Sequence, residues 1–142
     1  MERSLYPAAI HLFFRKGDDI LLLRRFNTGY EDGNYSVVAG HVEFGETATQ
    51  AGIREAKEEV GVTIDPGDLK IHGIMHRKSG DERIDFFAFV DRWEGVIKNM
   101  EEHKCDGLLW ADIASLPENT IPYIKRALEL SEKPLWYEEF GW

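Results

Sequence analysis

Along the chain, apolar runs alternate with short polar breaks. Ala8 to Phe14 is apolar apart from His11 and ends at Lys16-Gly17-Asp18-Asp19, and Ile20-Leu21-Leu22-Leu23 follows at once. Two apolar runs flanking a short Gly/Asp turn predict a β-hairpin. The segment NTGYEDGN, Asn27 to Asn34, has turn composition and predicts an exposed loop. YSVVAGH, Tyr35 to His41, predicts a short strand. The pattern then changes. From Thr47 to Val60 there is no proline, and Ala, Glu, Lys, Arg and Gln dominate. Thr47-x-x-Gln50 fits a capping box, which starts a helix near Thr47, and Gly61 is its expected stop. Leu69 to Met75 and Ile84 to Val90 predict two more strands, separated by the polar stretch HRKSGDER. Leu108 to Ala111 is a further apolar stretch. In Thr120 to Ser131, the positions Ile121, Ile124, Ala127 and Leu128 fall near a helical period and predict a second amphipathic helix. The aromatic tail PLWYEEFGW is expected to pack on the body. Strands, a helix, more strands and a final helix predict an α/β or α+β sandwich.

Composition narrows the function classes. A chain of 142 residues argues for one domain spanning 1–142, and 43% hydrophobic with 12% aromatic residues supports a packed core. Against 17 Lys and Arg stand 26 Asp and Glu, a net charge of −9. Such acidity disfavours sequence-blind nucleic-acid binding, which runs on clustered Lys and Arg. There is no polybasic membrane patch, and no apolar run reaches the ~18 residues of a spanning helix. The start, MERSLYPAAIHLFF, lacks the features of a signal peptide. Cys105 is the only cysteine, so neither an internal disulfide nor a cysteine-cluster metal site can form. A soluble, cytoplasmic protein is expected. Neither G-x-G-x-x-G nor G-x-x-x-x-G-K-[ST] occurs, so both phosphate loops are missing.

The informative chemistry lies on the first predicted helix. At about 100° per residue, Glu58 stands near −60° and Glu59 near +40° from Glu55. The three carboxylates share a face, while Ile53, Ala56 and Val60 share another that would pack on the sheet. Small Gly52 and Ala56 would let the helix sit close to its support. The like-charge pairs Glu55–Glu58 and Glu55–Glu59 each cost about 0.2–0.5 kcal/mol, opposed locally only by Arg54–Glu58. Such a face suits a hard divalent cation, which takes oxygen ligands, but a solvated acidic face tolerating a small penalty accounts for it equally well.

The surrounding residues 40–62, GHVEFGETATQAGIREAKEEVGV, resemble the Nudix box, G-x5-E-x7-R-E-U-x-E-E-x-G-U with U aliphatic. Gly40, Glu46, Arg54, Glu55, Glu58, Glu59, Gly61 and Val62 fall in place, and Ala56 is smaller than the usual aliphatic residue. The resemblance implies a Nudix-type α/β/α sandwich with a mixed β-sheet. It also implies a hydrolase that uses Mg²⁺ or Mn²⁺ to cleave a nucleoside diphosphate linked to another moiety. By position, Glu55, Glu58, Glu59 and the Gly40 carbonyl would be metal ligands, Arg54 would orient a box carboxylate, and Glu46 would support the loop. Glu43 receives no role. Family members take the catalytic base from the box or from a later loop, here Asn99-Met100-Glu101-Glu102. Adjacent acids on an extended strand end point to opposite sides. Glu101 is favoured over Glu102 as the additional ligand or base.

Other residues rank lower. Arg24 and Arg25 could touch phosphate or be plain surface charge. His41 sits at a variable box position, and His72, His76 and His103 lack helical metal-ligand spacing. Cys105 reads as a packed residue, and Trp110 and Phe86–Phe87 as core. Any of these aromatics, or Tyr30 or Tyr35, could line a nucleobase pocket. Resemblance to the Nudix subfamilies adds little. The Pro of ADP-ribose hydrolases and the Tyr of dinucleoside polyphosphate hydrolases are both missing at Arg77-Lys78-Ser79, as is the S-Q-P-W-P of NADH-type enzymes. What remains is a compact nucleoside-triphosphate pyrophosphohydrolase with a small-molecule nucleotide substrate; a homodimer is compatible. Two alternatives are a catalytically idle Nudix module that binds a nucleotide or partner as a sensor, and an isoprenoid diphosphate isomerase. The latter requires a placed cysteine.

Overall fold

A computed structural model describes residues 1–142. Its strands are β1 (Ala8–Lys16), β2 (Asp19–Arg25), β3 (Tyr35–Ser36), β4 (Val38–His41), β5 (Leu69–Ser79), β6 (Asp81–Val90), β7 (Cys105–Asp112) and β8 (Trp136–Phe140), with helices α1 (Ala48–Val60) and α2 (Pro122–Leu130). They form one eight-stranded mixed sheet in the order β3-β2-β1-β6-β5-β8, with β4 also on β1 and β7 also on β2. The parallel pairs are β1 with β6 and β5 with β8.

Alternation along the strands divides the core. On β1, Ile10, Leu12 and Phe14 face one side with Ala51, Ala56 and Val60 of α1. Phe13 faces the other with Ile124, Ala127 and Leu128 of α2. Each sheet face is thus covered by a helix, the α/β/α sandwich expected. At about 25 cal/mol per Å² of apolar area, these fully buried Leu, Ile and Phe side chains each contribute roughly 1.5–3 kcal/mol.

Helix α1 has its expected ends. The Thr47 hydroxyl accepts from the Gln50 N–H, the Gln50 side chain accepts from the Thr47 N–H, and Gly61 closes the helix in the left-handed region at φ 75°. Ala51, Gly52, Ala56 and Val60 are buried, and Ile53 only partly so. A Cβ on Gly52 would lie 2.8 Å from Leu69 Cδ1, so glycine sets the close approach of helix to sheet.

Several boundaries differ from the sequence reading. The stretch Tyr35 to His41 is two strands, since β3 pairs with β2 and β4 with β1. HRKSGDER is not a separator. β5 and β6 run through it and turn only at Gly80, where φ is 78°. Both of its arginines are paired with acids: Arg83 binds Asp81, and Arg77 binds Asp85. β7 begins at Cys105, before the apolar stretch, because Arg24 and Arg25 of β2 pair with it there. Helix α2 starts at Pro122, two residues late, because Thr120 bridges to Tyr35. The aromatic tail does more than pack: Trp136–Phe140 adds β8 to the edge of β5.

Candidate active site

The strand ends, the turn before β7 and the second half of α1 enclose a cleft of about 810 Å³. Glu55, Glu59, Gly40 and Glu101 line it together. Glu55 reaches it because β4 passes very close to α1: a Cβ on Gly40 would lie 2.1 Å from Glu55 Cδ, so no larger residue leaves the carboxylate in place.

Arg54 organises the mouth. Its Nε and Nη2 donate to the two carboxylate oxygens of Glu46, both at 2.9 Å; Nη1 donates to Glu55 Oε1 at 2.7 Å, and Nη2 to the His41 carbonyl at 3.0 Å. Glu46 Oε1 accepts the Glu43 N–H at 2.8 Å. The Arg54 guanidinium, aided by that N–H, holds the Glu46 carboxyl down to about 2. One cation therefore ties the loop before α1, the end of β4 and a cleft carboxylate into a single unit. Arg54 and Glu46, anticipated as an orienting group and a loop support, are the residues joined by these bonds.

Glu59 lies deeper. Its Oε2 is buried without a hydrogen-bond partner. Burial first, then hydrogen bonding with Glu55 and the charges of Glu55 and Glu101, raise its carboxyl well above the usual range, while the Ala39 backbone N–H opposes the rise. A buried, unpartnered carboxylate oxygen facing other acids lacks a positive partner.

The expected three-acid face is only partly gathered. Glu58 does not line the cleft; its side chain is 53% exposed and touches Arg54 Nη1 at 3.4 Å. No three His, Cys, Asp or Glu side chains stand close enough to form a ready-made metal site. Glu101 does face Glu59, but from a turn and not from an extended strand end: its carbonyl accepts the N–H groups of Lys104 and Cys105. Its carboxylate lies 3.5 Å from Lys104 Nζ. Glu102 is exposed and outside the cleft.

Among the other candidates, Arg24 and Arg25 line the cleft but are engaged, Arg24 in a two-pronged pair with Asp106 and Arg25 with the Tyr30 carbonyl and the Thr28 hydroxyl. Tyr30 and His41 line it; Tyr35, Trp110, Phe86 and Phe87 do not. Trp110 stacks on Trp93, and Phe87 is core. Cys105 is a buried thiol at the cleft wall that donates to the Gly107 carbonyl at 3.3 Å. His72 is buried between Phe89 and Trp136, and His76 lies against Tyr6 and Trp142; neither lines the cleft, and nor does His103.

Sequence reading missed the opposite end of the cleft, made by His11, Arg77, Arg83 and Tyr123 with Asp85 behind them. The signals were faint: one histidine in an apolar run, and charges within a stretch that reads as a loop.

The NUDIX domain family matches residues 5–130. An 8-oxo-dGTP diphosphatase of Escherichia coli (strain K12) is 31% identical over 88 residues, 61% of this chain and 67% of that protein. An NAD-capped RNA hydrolase of Vibrio atlanticus (strain LGP32) is 28% identical over 136 residues, covering 87% of this chain and 48% of that protein. The chain spans less than half the length of the NAD-capped RNA hydrolases it matches. In fold, it resembles the crystal structure of a MutT NUDIX hydrolase from Burkholderia pseudomallei, with a TM-score of 0.81, 19% identity, and 89% and 98% of the two chains covered.

Proposed function

The chain belongs to the NUDIX family and is a Nudix hydrolase, and from that premise we propose that it is a divalent-cation-dependent pyrophosphohydrolase. It cleaves a nucleoside triphosphate, or a related nucleoside diphosphate derivative, to a nucleoside monophosphate. The observation that carries this reading is the buried, unpartnered Oε2 of Glu59, set beside Glu55 and Glu101 in a cleft of nucleotide size. The donor set is all oxygen and fits a hard cation. Glu55, Glu59 and the Gly40 carbonyl would hold it, with Glu58 adding a carboxylate from the exposed rim. A bound Mg²⁺ or Mn²⁺ would offset phosphate charge and make water a stronger nucleophile.

The protein's own groups do the rest. Arg54 fixes the Glu55 carboxylate, so the charge of the mouth is positioned before substrate arrives. Glu101 takes the proton from the attacking water as its oxygen bonds to phosphorus and the diphosphate P–O bond breaks. Lys104, beside Glu101 and lining the cleft, offers an ammonium to the departing phosphate oxygens. With a triphosphate the products are nucleoside monophosphate and pyrophosphate. The test is a screen of nucleotides with Mg²⁺ and Mn²⁺ that reads monophosphate, pyrophosphate and orthophosphate separately. Monophosphate with pyrophosphate is the expected outcome; orthophosphate alone, or no turnover of any nucleotide, contradicts the reading.

A further inference from the structure

Arg77 differs from four other arginines paired with acids. Arg15, Arg24 and Arg83 each grip a single Asp with Nε and Nη2 together, and Arg54 grips Glu46 in the same way. Each of those pairs is at least partly exposed. Arg77 is only 4% exposed, and it donates to Asp85 through Nε alone, at 2.6 Å. Neither of its Nη groups has a protein hydrogen-bond partner. Arg77 lines the cleft, so a molecule bound there can meet those donors.

The fork is held rigidly. The Tyr123 ring covers one guanidinium face, with the Arg77 carbon 3.7 Å from the ring centre. Tyr123 is itself fixed. His11 Nδ1 lies 3.3 Å from the Phe86 carbonyl, which can only accept, so Nδ1 carries the hydrogen and Nε2 accepts the Tyr123 hydroxyl at 3.0 Å. Asp85 is fully buried and cancels the Arg77 charge. The cleft therefore meets a flat pair of parallel N–H donors with little net charge behind it. Such a fork suits two neighbouring acceptor atoms in one plane.

We infer that Arg77 is a specificity-determining residue whose Nη fork reads the acceptor–acceptor edge of a nucleobase. This inference rests on the cleft being a nucleotide site. Guanine offers O6 beside N7, and cytosine O2 beside N3. Adenine sets an amino donor beside N7, and uracil an N–H beside its carbonyl oxygen, so each would face the fork with a donor. A bidentate arginine–guanine contact discriminates by about tenfold to a hundredfold.

The test is equilibrium binding of GMP, AMP, CMP and UMP to the whole protein in EDTA. It needs no turnover and stands apart from the hydrolytic assay. Inactivity with clear base selectivity would fail the proposed function alone, and activity without selectivity would fail this inference alone. We expect GMP to bind about tenfold or more tightly than AMP, and CMP more tightly than UMP. Arg77→Lys keeps a cation beside Asp85, so the fold has its ion pair, but it loses the fork. It should bring both ratios to within about threefold while leaving AMP and UMP affinities unchanged. Should that variant melt early, Arg77→Gln with Asp85→Asn removes both buried charges together and carries the same expectation. Unchanged ratios in folded variants would overturn the inference. An equal loss for all four nucleotides would also overturn it, because the fork would then be gripping phosphate.

Discussion

Gly40→Ala isolates the position of one carboxylate. The added Cβ would sit 2.1 Å from Glu55 Cδ and from Oε1. Carbon atoms rest at about 3.5 Å or more, so the carboxylate must retreat by about 1.4 Å. The retreat also breaks its 2.7 Å bond from Arg54 Nη1. A displacement of about 1 Å at a catalytic group costs about a hundredfold in rate. Stability should change far less: one partly exposed charge-assisted hydrogen bond is worth about 1–2 kcal/mol, and alanine suits a strand better than glycine does. The assay is kcat/KM on the best nucleotide of the screen, alongside thermal melting. Gly107→Ala is the control, since its Cβ would meet nothing within 4 Å. We expect a loss of about a hundredfold for Gly40→Ala and activity within about twofold of the parent for Gly107→Ala. Full activity in a folded Gly40→Ala protein would show that the Glu55 carboxylate, as placed here, takes no part in the reaction.

Glu59→Gln should lower kcat by about two orders of magnitude or more, the scale of a lost electrostatic stabiliser. Its melting midpoint in chelator should be unchanged or raised, because like-charge repulsion with Glu55 and Glu101 is relieved; a collapsed fold would point to a structural role instead. Glu101→Gln should slow turnover about tenfold or more and Glu102→Gln by less than about twofold, and equal effects in steady-state rates would remove Glu101 from the mechanism. His11, which faces the Tyr123 hydroxyl, Asp85, Arg77 and Arg83, is lowered by burial from 6.5 to about 4. On acidification the unfolded chain takes this proton first. Stability present above pH ~6.5 should then be lost between ~6.5 and ~4, on the order of 3 kcal/mol when complete, and His11→Gln should flatten that part of a denaturant-midpoint-against-pH curve.

The box was legible because its residues act locally. A capping box, a glycine stop and i,i+3 and i,i+4 spacing all act within one helix, so Thr47, Gly61 and the Glu55–Glu59 face could be read from order alone. Glu101 could be singled out although its loop geometry could not; the turn that aims it depends on hydrogen bonds closing at Lys104 and Cys105. Glu58 shows the limit of helical arithmetic, since a shared face did not decide which carboxylate enters the cleft. Arg77, Asp85, His11 and Tyr123 come from three strands and a helix, up to 112 residues apart, and meet only through sheet register. A polar stretch reads as a loop when its charges are assumed to face water. Here Arg77 and Arg83 found acids across or along the hairpin, and the strands continued. The tail was placed as packing because β8 forms a parallel pair with β5, which leaves no local turn signal.

The central claim is that the acids at the mouth of the cleft serve a cation-dependent cleavage of a diphosphate bond. It is tested most directly by pyrophosphate release from a nucleoside triphosphate, measured against Mg²⁺ concentration for the parent protein and for Glu59→Gln. The account predicts saturable activation for the parent, none in EDTA, and a loss of about a hundredfold or more in the variant at every Mg²⁺ concentration. Pyrophosphate release that persists in EDTA, or that Glu59→Gln leaves unchanged, would contradict it.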